Sequence, residues 1–125
     1  MADSFVDASY AFDEKTKQGF VRVIMKVNGL QVEKESWRSS KKVPKNANIP
    51  EPGFTERTVL VKVEGKKDSK VKNVQLRINR LPYDIDDSSC YIEPEENRVV
   101  VFLKKADSGQ SWRSYIEGDG IETDS

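Results

Sequence analysis

The amino-acid sequence predicts an all-β domain, an antiparallel sandwich of about six or seven strands. Three observations carry this. Apolar residues recur at every second position in several separate segments, the period of a strand with one buried face. Polar turn formers stand between those segments. No stretch of about a dozen residues holds an apolar stripe at helical spacing, and Val, Ile and Thr crowd the periodic segments.

The elements follow in chain order. "YAFD", Tyr10 to Asp13, reads as a short leading strand after an amino-terminal arm over residues 1–9. In "GFVRVIMKVNG", Val21, Val23, Met25 and Val27 point one way, while Phe20, Arg22, Ile24 and Lys26 point to a solvated face. "QVEKESWRSSKKVPKNANIPEPG", residues 31–53, breaks the rhythm with serines, asparagines, lysines and prolines and reads as a long loop. Its stretch from Trp37 to Asn48 holds no acid, and loops of such length tend to be functional or mobile. A further strand lies near Phe54. "RTVLVKVEG" sets Val59, Val61 and Val63 on one face and closes at Glu64-Gly65, and "VKNVQLRINRL" repeats the pattern through Val74, Leu76 and Ile78. Cys90 to Glu93 and Arg98 to Lys104 flank Pro94-Glu95-Glu96-Asn97 and predict a hairpin.

Composition narrows the function. The 125 residues suit one domain with one modest core. Lysine plus arginine and aspartate plus glutamate each total 21, so no global field draws the chain to nucleic acid or anionic lipid, and any charged partner is met locally. Histidine is absent, which removes the commonest general base and metal ligand. A single cysteine, Cys90, makes no internal disulfide and reads as a small apolar residue. The opening residues lack the basic start and apolar run of a signal peptide, and no apolar run is long enough to cross a bilayer as a helix. The expectation is a cytoplasmic protein, or a nuclear one, with no membrane partner.

Four motifs invite chemistry. Ser108-Gly109-Gln110-Ser111 precedes Trp112, and the glycine permits a sharp turn that throws the indole back across the sandwich. Such a tryptophan closes a core edge, anchors a partner, or does both if its rim stays exposed. Trp37 beside Arg38, Lys41, Lys42 and Lys45 has the composition of a stacking platform, but one aromatic with no others interleaved reads as a loop residue, and nucleic acid is not the expected partner. Asp84, Asp86, Ser88 and Glu95 take the spacing of a calcium loop, but Ser89 stands where the sharp turn needs glycine, so a polar turn is expected and no metal or cofactor. The tail from residue 117 carries acids and no base and reads as disordered.

"GFVRVIMKVNGLQ", "FTERTVLVKVEG", "VKNVQLRINRL" and "RVVVFLKKADSGQSW" resemble, in order and spacing, the successive strands of a CS domain. This family of the HSP20-like superfamily includes calcyclin-binding protein (Siah-interacting protein) and the small acidic-tailed co-chaperones of heat-shock protein 90. The resemblance covers about residues 10–116. Phe54-Thr55-Glu56-Arg57 and the Gly-Leu-Gln after the second strand look closest to calcyclin-binding protein, and the Ser-Gly-Gln-Ser-Trp end to the co-chaperones. After it, Arg113-Ser114-Tyr115 stands where the co-chaperones continue Pro-Arg-Leu.

The resemblance implies an immunoglobulin-like sandwich of about seven strands and a non-catalytic module that binds heat-shock protein 90 or its client complexes. It assigns partner contact to Trp112, Gly109, Gln110, Ser111, Lys104, Lys105, Arg113, Phe54 and Arg57. An adaptor role of the calcyclin-binding type in a ubiquitin-ligase pathway is one alternative, and an acidic partner or nucleic acid held by residues 37–48 is another. A prostaglandin-synthase activity credited to the co-chaperones would need an early tyrosine, for which Tyr10 is the nearby candidate; no enzyme is expected.

Overall fold

The computed structural model describes residues 5–114, and over them the chain is all-β. Its strands are β1 (Val6–Asp7), β2 (Tyr10–Asp13), β3 (Phe20–Lys26), β4 (Val32–Lys34), β5 (Lys42–Pro44), β6 (Ala47–Asn48), β7 (Gly53–Phe54), β8 (Val59–Gly65), β9 (Val74–Ile78), β10 (Tyr91–Glu95) and β11 (Arg98–Lys104). A five-stranded sheet runs β1-β9-β8-β6 with β7 also on β8, a four-stranded sheet runs β10-β11-β3-β2, and β4-β5 pair apart from both.

The two larger sheets turn their apolar faces into one core, an arrangement consistent with a sandwich. Val21, Val23 and Met25 of β3 are buried opposite Leu103, Val101 and Val99 of β11, each pair adding cross-strand contact on one face. Val59, Val61 and Val63 of β8 join Leu76 and Ile78 of β9 from the other sheet in the same cluster. Gly65 ends β8 where Val71 crosses it: a Cβ there would collide with the Val71 carbonyl oxygen, so only glycine fits.

Three features differ from expectation. Segment 31–53 is not one long loop; it carries β4, β5 and β6. The β4-β5 hairpin closes through Glu35 N to Lys41 O (2.9 Å) and Lys45 N to Gln31 O (2.8 Å), yet no residue from 31 to 46 is buried. With no inward face there is no alternation to read. The arm over residues 1–9 includes β1, which pairs with β9 in parallel, against the antiparallel rule elsewhere. The β10-β11 turn is only Glu96-Asn97, with Asn97 at φ 65°, a left-handed conformation that asparagine tolerates. Pro94 lies inside β10, the outermost strand of its sheet, where its missing N–H is tolerated. Residues 117–125, expected to be a disordered tail, lie outside the described residues.

Candidate protein-docking surfaces

The carboxy-terminal end of β11 is organised around a carboxylate that the sequence does not announce. Period-two alternation carries Val99, Val101 and Leu103 inward and continues to Lys105, which is buried and forms a bridge to Ile85. Its ammonium donates to Glu14 Oε2 at 2.8 Å. The backbone N–H of Trp112 donates to the same oxygen at 2.9 Å, and Ser111 Oγ donates to Oε1 at 3.1 Å. Burial pushes the Glu14 carboxyl up, but the Lys105 ammonium and the Trp112 and Ser111 donors outweigh it and hold the group below the usual glutamate range.

This lock decides the place of Trp112. The indole is fully buried in the core cluster, with its ring 6.0 Å from that of Tyr83. It has no exposed rim with which to grip a partner, so it occupies the core-edge position. Before it, Gly109 N donates to Asp107 Oδ1 and Gln110 N to Asp107 O, both at 3.0 Å. Gly109, Ser111 and Arg113 are exposed and Gln110 is half-buried.

The structure brings the two remaining predicted residues to the same end. Ile85 N donates to Glu56 O and Asp86 N to Lys104 O, both at 2.8 Å, so the segment after Leu81 ties the β7-β8 turn to the end of β11. Phe54 packs half-buried on the core, while Arg57 is exposed and pairs with Asp84 at 2.7 Å. Asp86 accepts the hydroxyls of Ser88 (2.8 Å) and Ser89 (3.1 Å), which hold it below the usual aspartate range, and Glu95 pairs with Arg98 at 2.6 Å. The carboxylates with calcium-loop spacing are thus each turned to a protein partner. Cys90 is half-buried, and burial pushes its thiol up, away from the reactive thiolate.

A second surface lies on the outer face of the four-stranded sheet, where the sequence predicts a solvated face that could also serve for docking. Tyr91 and Phe102 stack with centroids 4.6 Å apart and planes 9° apart, and Phe20 meets both rings edge-on at 6.0 and 6.4 Å. Lys17 Nζ stands 4.7 Å from the Phe20 centroid and donates to Tyr91 Oη at 2.7 Å; Lys104 Nζ lies 5.3 Å from the same ring. Phe20, Tyr91 and Ile24 remain half-buried. The signal was present in Val99 to Leu103, an unbroken apolar run whose Val100 and Phe102 face away from the core, as in a strand covered on both faces. Beside this face Arg22 pairs with Asp13 at 3.0 Å. The Thr16 hydroxyl, against some burial, and then Arg22 and the Lys15 and Thr16 N–H groups hold Asp13 down at about 2.

No protein-family model matches the chain, and no curated protein matches it.

Proposed function

We propose that the chain is a CS-type, HSP20-like module, an immunoglobulin-like sandwich of about seven principal strands, that binds heat-shock protein 90 or its client complexes without catalysing a reaction. On this reading it acts in the cytoplasm, with the nucleus as the alternative. The observation that carries the reading is the outer face of the four-stranded sheet: Phe20, Tyr91 and Phe102 clustered beside Ile24, with Lys17 and Lys104 at their edge. Aromatic anchors edged by positive charge are the composition of an interface centre and its rim. The rings supply apolar area, while the ammoniums orient an acidic partner and speed its encounter. Lys104 belongs to this face as well as to the end that holds Lys105, Gly109, Gln110, Ser111 and Arg113, so the two docking areas meet at one residue.

The test is titration of the chain with the purified chaperone, with and without nucleotide, beside a Lys17→Glu/Lys104→Glu double variant. The expected result is binding by the wild type and a loss of about tenfold or more in the variant, with crosslinks formed from Lys104 rather than Lys72. Folded wild-type protein that binds in no nucleotide state, or a variant that binds as well as wild type, overturns the reading.

A further inference from the structure

The β4-β5 hairpin forms an arm that lies beside β10 and is tied to the β10-β11 turn by the Val32 N–H, which donates to Glu96 Oε2 at 2.8 Å; of the rings used in the chaperone reading, it faces only Tyr91. Trp37 sits in the hairpin loop and is 81 % exposed, and the Arg38 guanidinium lies 4.7 Å from its ring. An indole held in water contributes nothing to the core, so its area is available to a partner. The arm is also locally basic in a chain of zero formal charge. Glu35 pairs with Lys41 at 3.8 Å, and among the described residues no ion pair engages Lys34, Arg38, Lys42 or Lys45.

Between the arm and the edge strand β10 runs an open groove of about 1240 Å³. Half-buried Val43, Pro44, Ile49 and Ile92 give it an apolar lining; Lys41 and Lys42 stand on the arm side, and Glu93, Glu95, Glu96 and Arg98 on the other, where Arg98 pairs with Glu95 and Glu96 accepts the Val32 N–H of the arm. β10 ends its sheet, so no strand is hydrogen-bonded to its outer edge although β5 lies near it, and Pro94 leaves β10 one donor short.

We propose that this arm and groove bind an extended acidic peptide bearing aliphatic side chains, with Trp37 as its anchor. The aliphatic groups fit the lining and the acids face Lys41 and Lys42, while Trp37 and Arg38 stand on the hairpin loop outside the lining, where the peptide reaches them past Ser39. Charge separates this occupant from single-stranded nucleic acid. A phosphodiester chain is anionic at every unit and would meet the glutamates of the far wall, whereas a polypeptide backbone is neutral and can turn its acids to one side. Stacking of successive bases also needs several aromatics, and Trp37 is the one exposed large aromatic among the described residues.

The experiment titrates the full chain with three labelled probes: a short Glu/Leu peptide, its Lys/Leu counterpart and oligothymidylate. The Glu/Leu peptide is expected to bind tightest, and Trp37→Ala and Lys42→Glu each to weaken it about tenfold or more. Both positions are exposed, so unaltered circular dichroism accompanies the loss. Equal binding of the Lys/Leu peptide, tighter binding of oligothymidylate, or full affinity in Trp37→Ala overturns the proposal. The Lys104→Glu single variant, which leaves the Lys17–Tyr91 contact beside the groove intact, retains the Glu/Leu peptide, which separates failure here from failure of the chaperone reading.

Discussion

The chain's two tryptophans have opposite fates. Trp112 is 0 % exposed and Trp37 is 81 % exposed, although each follows a serine and precedes an arginine. Local sequence does not separate them; the supporting structure does. Trp112 is drawn in by a backbone hydrogen bond to Glu14, a residue on the far side of the sequence that is itself fixed by Lys105. Trp37 sits on a hairpin with no buried residue, so nothing gathers around it. One indole holds the domain together, and the other is displayed by it.

Stability breaks this comparison most directly. Trp112→Ala is expected to cost about 3–5 kcal/mol in urea or guanidinium unfolding, the range for a large buried aromatic, and Trp37→Ala to stay within about 0.5 kcal/mol. Similar losses at the two positions would mean that the arm packs as tightly as the core.

Next in size is the lock. Lys105→Ala leaves the Glu14 carboxylate half-buried without its cation, and hydrogen bonds to charged groups contribute about 1.5–3 kcal/mol each; a loss in that range is expected. The pair Glu14→Leu/Lys105→Met should lose less than the two single changes added together, because the second substitution removes the group that the first leaves stranded. A double-mutant cycle of chemical denaturation measures the difference.

These outcomes also show what the sequence carried and what it hid. The inward faces of β3, β8 and β11 were open to reading because Val21-Val23-Met25, Val59-Val61-Val63 and Val99-Val101-Leu103 each repeat at period two against a real core. The same period, carried one step further, puts Lys105 inward. Its partner was not readable: Glu14 is 91 residues away, just past the end of β2, and no local pattern encodes that meeting. The β4-β5 arm was hidden for the reverse reason, since a hairpin with no buried face is held by backbone pairing and by polar contacts at its base from Asn46 and Glu96, neither of which imposes an apolar period. The outer aromatic face lay between the two cases. Its run of consecutive apolar residues was visible, but period-two reading attends to one face only.

Acid sharpens the comparison further. The folded-state values of both Asp13 and Glu14 lie below their ordinary ones, Asp13 falling from 3.8 to about 2. A lowered carboxyl adds stability above its unfolded value and loses it as pH falls through the folded one. Stability is therefore expected to be level near neutrality and to fall below about pH 4.5, the ordinary value for Glu14, continuing toward about 2 as Asp13 protonates. Glu14→Gln flattens the upper part of that decline and Asp13→Asn the lower part. Denaturation midpoints across the acid range read both, and a wild-type profile unchanged by either substitution would remove these carboxylates from the account.

The smallest effect concerns the displayed indole itself. Arg38 lies over Trp37 at 4.7 Å, and an exposed cation–π contact contributes about 0.5–1 kcal/mol. Both groups are in solvent, and neither touches the core cluster. Arg38→Ala should therefore leave global unfolding unchanged within about 0.5 kcal/mol. It should still uncover one face of the ring. Acrylamide quenching separates that local change from a global one, because the buried Trp112 contributes the resistant fraction of the fluorescence and Trp37 the accessible fraction. The quenching constant of the accessible fraction should rise in Arg38→Ala while the resistant fraction holds. If both fractions move together, the arm and the core are coupled, and the contrast between the two tryptophans fails.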